Sequence, residues 1–410
     1  MKAKTALRPA RNLTRSKAGT NPPAASRITN HESRTTPHVS RLPIRLLTAV
    51  PICDGHDSAI NTINLEFIRH GIEVIYLGYH RSARDIVRAA VQEDVRAIGI
   101  SSYNGGHVEF FAEVIDLLKE GSAGDIGVFG GGGGTITPAD ARLMKKKGVD
   151  QIFFAGTPLA EMVEFVKKTY GQPRRFSVPA VPKTRPLSAR QISKLLTAAE
   201  SGRSRIPHQA SRVTRVVGIT GPGGAGKTTL IDELALRFLG TDAKARLAIL
   251  SHDPSLVGRG ALLGDRATMI YSQDDRVFIR SLATRGRAGG LSSATEPCLD
   301  LLKRCGFDLV VVETVGIGQE AMPFGRELVD QTVLVLHPDY GSRLQLQKIV
   351  MLEVADITVV NKSDLAGAKT AAAEIEQRLA LNHRGQRLVS TVARRHRDAG
   401  VDELFQLVKS

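Results

Sequence analysis

The sequence predicts an α/β protein made of two doubly wound parallel-sheet domains in tandem. Three observations predict this. Between residues 44 and 171 short apolar runs alternate with amphipathic stretches five times over. A glycine-rich loop, GPGGAGKTT (Gly221 to Thr229), then joins an apolar run to another amphipathic stretch. Between the two regions lies a segment with four prolines, Pro173, Pro179, Pro182 and Pro186. Repeated β-then-α patterning implies parallel strands joined by crossover helices, with ligands at the carboxyl ends of the strands.

In the first domain, IRLLTAV reads as a buried strand and HDSAINTINLEFIRHG as a helix ending on Gly71. Next come the strand IEVIYLG, the helix SARDIVRAAVQED and the strand VRAIGISS. The helix HVEFFAEVIDLLKEG, strand IGVFGG, helix PADARLMKKKG, strand VDQIFFAG and helix PLAEMVEFVKKTYG complete the domain. The expected organisation is a basic extension over 1–42, a first domain over 43–171, a linker over 172–212 with one short helix (SARQISKLLTAAESG), and a second domain over 213–410.

The net charge of +15 is uneven: residues 1–42 hold nine Lys or Arg and one acid, Glu32. With much Ser, Thr, Pro and Asn and few apolar residues, this tail reads as a disordered basic arm rather than a secretory signal. No nucleic-acid partner is expected from a charge placed there. No apolar run approaches the roughly 18 residues of a membrane span, so no membrane partner is expected. The three cysteines, Cys53, Cys298 and Cys305, lack the short paired spacing of a zinc ribbon or disulfide framework and fit a reducing cytoplasm.

The loop Gly221 to Thr229 satisfies G-x-x-x-x-G-K-[ST] between the strand RVVGIT and the helix TTLIDELALRFLG. Gly221, Gly224, Ala225 and Gly226 let backbone N–H groups curl around phosphate oxygens, with Thr229 in the first helical turn. Lys227 neutralises the β and γ phosphates, and Thr228 offers its hydroxyl to Mg²⁺. The base is read by VVNKSDLAG: Asn361, Lys362, Ser363 and Asp364 follow the strand ITVV. An aspartate there accepts hydrogen bonds from guanine N1–H and N2–H, a pair that adenine lacks, so GTP is the expected nucleotide. Two further strand ends carry carboxylates, Asp253 in ARLAILSHDPS and Glu313, with Thr314, in FDLVVVETVG. Both suit a phosphate-bound magnesium. Asp265 and Arg266 (ALLGDRATM) are expected on a mobile loop near the nucleotide, Asp265 towards the metal and Arg266 towards GTP. Lys227, Asp253 and Glu313 are the expected catalytic set, and Gln319 is a weaker candidate for positioning the hydrolytic water.

HDPSLVGRGALLGDR, ETVGIGQE and NKSD together resemble the GTPases that act as chaperones for adenosylcobalamin-dependent acyl-CoA mutases, and HPDYGSRLQLQKIVMLEVADITVVNKSD looks like the form inside fused isobutyryl-CoA mutases. The resemblance extends over the first domain. That family's flavodoxin-like cobalamin fold carries D-x-H-x-x-G, a Ser-rich strand end and a Gly-Gly turn; here these read Asp54 and His56, SSYNGGH (Ser101 to His107) and FGGGGGTITP (Phe129 to Pro138). It implies that His56 replaces the cofactor's benzimidazole as lower ligand of cobalt, with Asp54 fixing the imidazole's tautomer. Ser101, Ser102, Gly131, Gly132 and Gly133 would line the slot for the displaced nucleotide tail. The chain departs from the motif at its last position, Ala59 in place of Gly. His107 and Cys53 are expected to be structural.

The acyl-CoA mutases rearrange substrate in a (β/α)₈ barrel of about 250 residues, which follows the GTPase domain in the fused family. The sequence ends after VDELFQLVKS with no barrel pattern. The resemblance therefore implies a cobalamin-binding subunit and GTPase chaperone that joins a large substrate-binding mutase subunit and gates loading of adenosylcobalamin. A homo-oligomer is also expected. The alternative is a carrier GTPase that delivers cobalamin to a separate, complete mutase; a corrinoid methyltransferase module leaves the GTPase unexplained.

Overall fold

The computed structural model describes residues 42–52, 54–56, 58–172, 187–203, 214–316, 323–325, 327–340, 350–382 and 384–409. The first sheet takes its strands from β1 (Arg45–Ala49), β2 (Glu73–Tyr76), β3 (Ala97–Ser101), β4 (Gly127–Gly131) and β5 (Gln151–Phe153). Between and after them run α1 (Ser58–Arg69), α2 (Ala83–Glu93), α3 (His107–Glu120), α4 (Pro138–Lys147) and α5 (Leu159–Tyr170). Each expected strand and helix of this region is present. Local chemistry fixes the helix starts: Ser82 caps α2 through the Asp85 N–H, and Thr137 and Asp140 form a reciprocal capping box on α4 with Pro138 in its first turn.

After the short helix α6 (Ala189–Glu200) come β6 (Arg215–Thr220), α7 (Lys227–Leu239), β7 (Leu247–Asp253) and β8 (Ala261–Leu263). The chain continues through β9 (Val277–Ala283), α8 (Thr295–Leu302), β10 (Leu309–Glu313), β11 (Gln331–Leu336) and β12 (Ile357–Val360). It closes with α9 (Ala368–Asn382), β13 (Arg387–Ser390) and α10 (Ala399–Lys409). The second sheet runs β13-β12-β11-β6-β10-β7-β9, and every pairing is parallel. Its strands are near-continuous apolar runs because helices cover both faces.

The two sheets are not independent. The first runs β5-β4-β3-β1-β2-β8, so its sixth strand comes from the P-loop half of the chain: Glu73, Val74 and Ile75 pair in parallel with Ala261, Leu262 and Leu263. Ala261 and Leu263 are buried in the first sheet's core, alongside Leu47, Ile75 and Ile98. The expected mobile loop around Asp265 is thus a strand followed by a 3₁₀ turn (Asp265–Thr268). Its pairing partner lies about 190 residues away, which local patterning does not reveal.

The opposite exchange occurs at the edge strand β9. Gln92 Nε2 donates to the Val277 carbonyl (2.9 Å) and its Oε1 accepts from Ile279 N (3.2 Å). The Glu93 carboxylate accepts from Ser281 N (3.0 Å) and Oγ (3.0 Å). Side chains at the end of α2 therefore satisfy backbone groups that an open edge would expose.

Behind this seam lies a buried charge network. Arg45 pairs with Glu73 (3.2 Å), Glu93 (3.5 Å) and Glu200 (3.6 Å). Arg280 and Arg285 also reach Glu200, and Arg285 reaches Glu73 (2.8 Å). Arg190, at the start of α6, holds Asp94 (2.8 Å) and Asp125 (2.7 Å) of the first domain. The α6 helix, expected as part of a linker, is thus packed into the second sheet's core through Ile192, Leu195 and Leu196 and pinned to the first by its charged ends.

Candidate functional sites on two sheets

His56 and Asp54 sit on the loop after β1, at the carboxyl edge of the first sheet. The His56 Nδ1 lies 2.8 Å from Asp54 Oδ1, the same oxygen accepts from the His56 N–H (3.0 Å), and Asp54 Oδ2 accepts from the Tyr103 N–H. Burial alone would raise the Asp54 carboxyl, but the Tyr103 and His56 hydrogen bonds outweigh it and hold it below its ordinary range. An ionised Asp54 oxygen can only accept, so this contact favours the His56 tautomer with its proton on Nδ1 and the lone pair on Nε2. The imidazole side chain is 67% exposed while the Asp54 side chain is fully buried. The pair presents an accessible imidazole nitrogen at the carboxyl edge of the sheet.

Beside it opens a cavity of about 190 Å³ between the sheet and helices α1 and α5. Ser101, Gly131, Gly132 and Gly133 line it, as does Ala59, the departure from the expected motif. Small residues are obligatory here: a Cβ on Gly132 would sit 1.8 Å from the Ser102 carbonyl oxygen, and one on Gly131 would sit 2.5 Å from that of Phe153. Ser102 does not line the cavity; it is 1% exposed and its N–H bonds Gly131 O (2.9 Å), joining β3 to the glycine turn. Tyr103, whose ring lies 4.9 Å from that of His56, was not singled out from the sequence, although it follows Ser102 directly. His107 packs at the start of α3 with Nε2 3.4 Å from Asp140, away from the cavity lining. Cys53 lies outside the described residues.

On the second sheet, the loop after β6 wraps the Lys227 ammonium, which donates to the carbonyls of Gly221 (3.1 Å) and Pro222 (3.2 Å). Gly226 adopts φ +87°, and a Cβ there would stand 2.4 Å from Asn361 Nδ2. Asn361 is a brace: its Nδ2 donates to Ala225 O (2.8 Å), and its Oδ1 accepts from Thr391 Oγ1 (3.0 Å) and Ala393 N (3.1 Å). Gly226, Thr229, Asn361, Lys362 and Asp364 line a pocket of about 300 Å³, closed on its far side by Val392, Ala393 and Arg394. Arg394 pairs with the Asp364 carboxylate. Ser363 contributes through its backbone, its N–H bonding Thr391 O (2.9 Å). The Thr391–Arg394 stretch escaped the sequence reading; its signal is its place at the end of the strand that follows NKSD.

Thr228 Oγ1 donates to Glu313 Oε1 (2.8 Å). Burial and the charge of Asp265 push Glu313 up to about 8, against the pull of Thr228 and Lys227. Burial raises Asp265 to about 6, opposed by Lys227. Burial and the charges of Asp265 and Glu313 raise Asp253 as well. Carboxylates that disfavour their own ionisation together are a site short of positive charge. Glu313 Oε2 and Asp253 Oδ2 are moreover buried without a hydrogen-bond partner. Among the described residues no three His, Cys, Asp or Glu side chains are grouped closely enough to hold a metal alone. These residues fit a Mg²⁺ ion that takes other oxygens from phosphates and water.

Two expected contacts lie elsewhere. Arg266 is 2% exposed and turned into the seam, donating to Gln92 Oε1 (2.8 Å) and Ile279 O (2.7 Å) and lying 3.4 Å from Glu93; β8 holds it against α2 rather than towards GTP. Thr314, 1% exposed beneath the phosphate loop, gives its hydroxyl proton to Thr220 Oγ1 (3.0 Å) rather than to a carboxylate. Gln319 lies outside the described residues.

Residues 189–410 match the family model of the methylmalonyl-CoA mutase-associated GTPase MeaB, and residues 44–163 match the B12 binding domain. The chain belongs to the methylmalonyl-CoA mutase-associated GTPases. In this member a cobalamin-binding domain precedes the GTPase. A fused isobutyryl-CoA mutase of Cupriavidus metallidurans is 38% identical over 88% of this chain and 35% of its own length. One of Geobacillus kaustophilus is 36% identical over 88% of this chain and 36% of its own. The methylmalonic aciduria type A homolog of Mus musculus is 33% identical over 50% of this chain and 46% of its own. The chain thus spans about a third of the length of the fused mutases it matches. The chain is thus a GTPase of this family that carries a cobalamin-binding domain. No helix among the described residues is long and apolar enough to cross a membrane.

Proposed function

We propose that this protein is the adenosylcobalamin-binding part of an acyl-CoA mutase, with His56 as a cobalt ligand, that it works with a separate substrate-binding subunit, and that GTP hydrolysis gates loading of the cofactor. The observation that carries the proposal is β8: the segment between Asp253 and Asp265, both at the nucleotide site, forms a strand of the cobalamin domain's own sheet. A change in how these carboxylates are held acts directly on that sheet.

Asp54 orients the His56 imidazole, and the glycines of the β4 turn leave room for the nucleotide tail. When bound, the cofactor supplies the homolytic cobalt–carbon chemistry, while the protein supplies binding, orientation and exclusion of water. In the GTPase, Lys227 and the P-loop N–H groups hold the β and γ phosphates, and Asp364 reads guanine. Thr228, Asp253, Asp265 and Glu313 would hold Mg²⁺, which neutralises charge developing on the phosphate oxygens.

Replacing His56 by Ala tests the first half. The variant should bind adenosylcobalamin without the spectrum of a histidine-ligated, base-off cofactor and should hydrolyse GTP at a near wild-type basal rate, because His56 is exposed and touches no residue of the GTPase site. An unchanged spectrum would remove His56 from the cobalt. Adding the protein to a mutase substrate subunit and adenosylcobalamin should restore acyl-CoA turnover, and the His56 variant should not; restoration by the variant would favour a carrier role.

A further inference from the structure

The cavity beside His56 is walled mainly by Ile60, Ile63, Phe67, Phe129, Phe153 and glycine, yet Thr48 lies among the residues that line it. Thr48 occupies β1 directly across from Gly99 of β3, and it is 2% exposed. A Cβ on Gly99 would meet the Thr48 methyl at 3.4 Å, so the methyl packs along the sheet towards β3. The hydroxyl is the anomaly: Thr48 Oγ1 is buried and has no hydrogen-bond partner. A buried hydroxyl left unpaired destabilises the fold that holds it. Valine would fill the same volume on this strand at no such cost and has high β propensity. A group that burdens the free protein is explained if a ligand satisfies it.

We propose that Thr48 is a hydrogen-bonding partner of the cofactor's nucleotide tail and makes this cavity selective for corrinoids that carry one. The assignment rests on the cavity being the tail slot. The tail, a heterocycle with ribose and phosphate, is rich in hydrogen-bonding atoms, whereas the walls offer almost none. Thr48, Ser101 and Thr157 are the hydroxyl residues of the lining, and the Thr157 hydroxyl is already donated to Phe154 O (2.8 Å).

The test uses the full chain as wild type, Thr48→Val and Thr48→Ser, each titrated by absorbance with adenosylcobalamin and with adenosylcobinamide, which lacks the tail. Thr48→Val should bind adenosylcobalamin about tenfold more weakly and adenosylcobinamide as wild type does. Thr48→Ser should recover most of the affinity. The cofactor-free Thr48→Val protein should melt at or above the wild-type temperature, since it loses an unpaired buried hydroxyl. Valine binding adenosylcobalamin like wild type, or weakening both corrinoids equally, overturns the assignment. So does a marked fall in its melting temperature, which would give the hydroxyl to the fold. Wild type that fails to distinguish the two corrinoids would overturn the tail slot itself, and Thr48 with it; a wild-type preference left intact in the valine variant overturns Thr48 alone.

Discussion

At the scale of single residues, the nucleotide site is built around charges that repel one another in the free protein. Glu313, raised to about 8, and Asp265, raised to about 6, bind protons more tightly folded than unfolded. Their favourable contribution is complete below the unfolded values of about 4.5 and 3.8 and is lost as pH rises through the folded ones. Cofactor- and nucleotide-free protein should therefore lose stability between about pH 5 and pH 8 on this account, measured by denaturant midpoint. Mg²⁺ with a GTP analogue should recover more stability at the upper end than at the lower. A midpoint that rises across this range would contradict the electrostatic reading. The residues of this site were legible because each stands at a strand end inside a spaced motif. Arg266 was not, since the same GDR string permits either direction and only the pairing of β8 turns the guanidinium into the seam. Arg45, Arg280 and Glu200 were invisible for a related reason: sequence patterning assigns charges to solvent, and these three are buried with one another.

At the scale of elements, the strands and helices of the cobalamin domain follow from hydrophobic period and caps, and they emerge where expected. What the sequence conceals is exchange between domains. A three-residue strand of Ala, Leu and Leu flanked by Gly260 and Gly264 has too short a pattern to announce itself. Its worth can be measured. Leu263 is fully buried in the first sheet's core, so Leu263→Ala should cost roughly 2–5 kcal/mol. Because the strand also joins Asp253 to Asp265, the same variant should weaken the effect of GTP analogues on amide exchange in β2, its partner strand. Hydrogen exchange with and without nucleotide checks both; undiminished nucleotide protection of β2 would remove β8 from the coupling. The α2 terminus is the reciprocal device, lending Gln92 and Glu93 to the edge of β9.

At the scale of the whole molecule, the shared strand, the capped edge and the buried ion network join the two domains. Glu200 is central, facing Arg45, Arg280 and Arg285 with a side chain 2% exposed. Burial would raise its pKa, but those arginines outweigh it and lower the value to about 2. The stability it contributes is thus present above about 4.5 and lost as pH falls towards 2. Removing one partner from such a cluster leaves buried cations uncompensated, so Glu200→Gln should cost roughly 3–5 kcal/mol and separate a single unfolding transition into two. A variant that still melts in one step near the wild-type temperature would show that the network is not what joins the domains.

The claim that nucleotide state reaches the cobalamin site is tested most directly by linkage. Adenosylcobalamin affinity should be titrated on the same wild-type protein with no nucleotide, with Mg²⁺ and GDP, and with Mg²⁺ and a non-hydrolysable GTP analogue. A coupling carried by β8 should separate the dissociation constants of the last two states by about 5-fold or more, the lower end of ordinary allosteric coupling. Identical affinities in all three states would mean that the two domains share a sheet without sharing a signal.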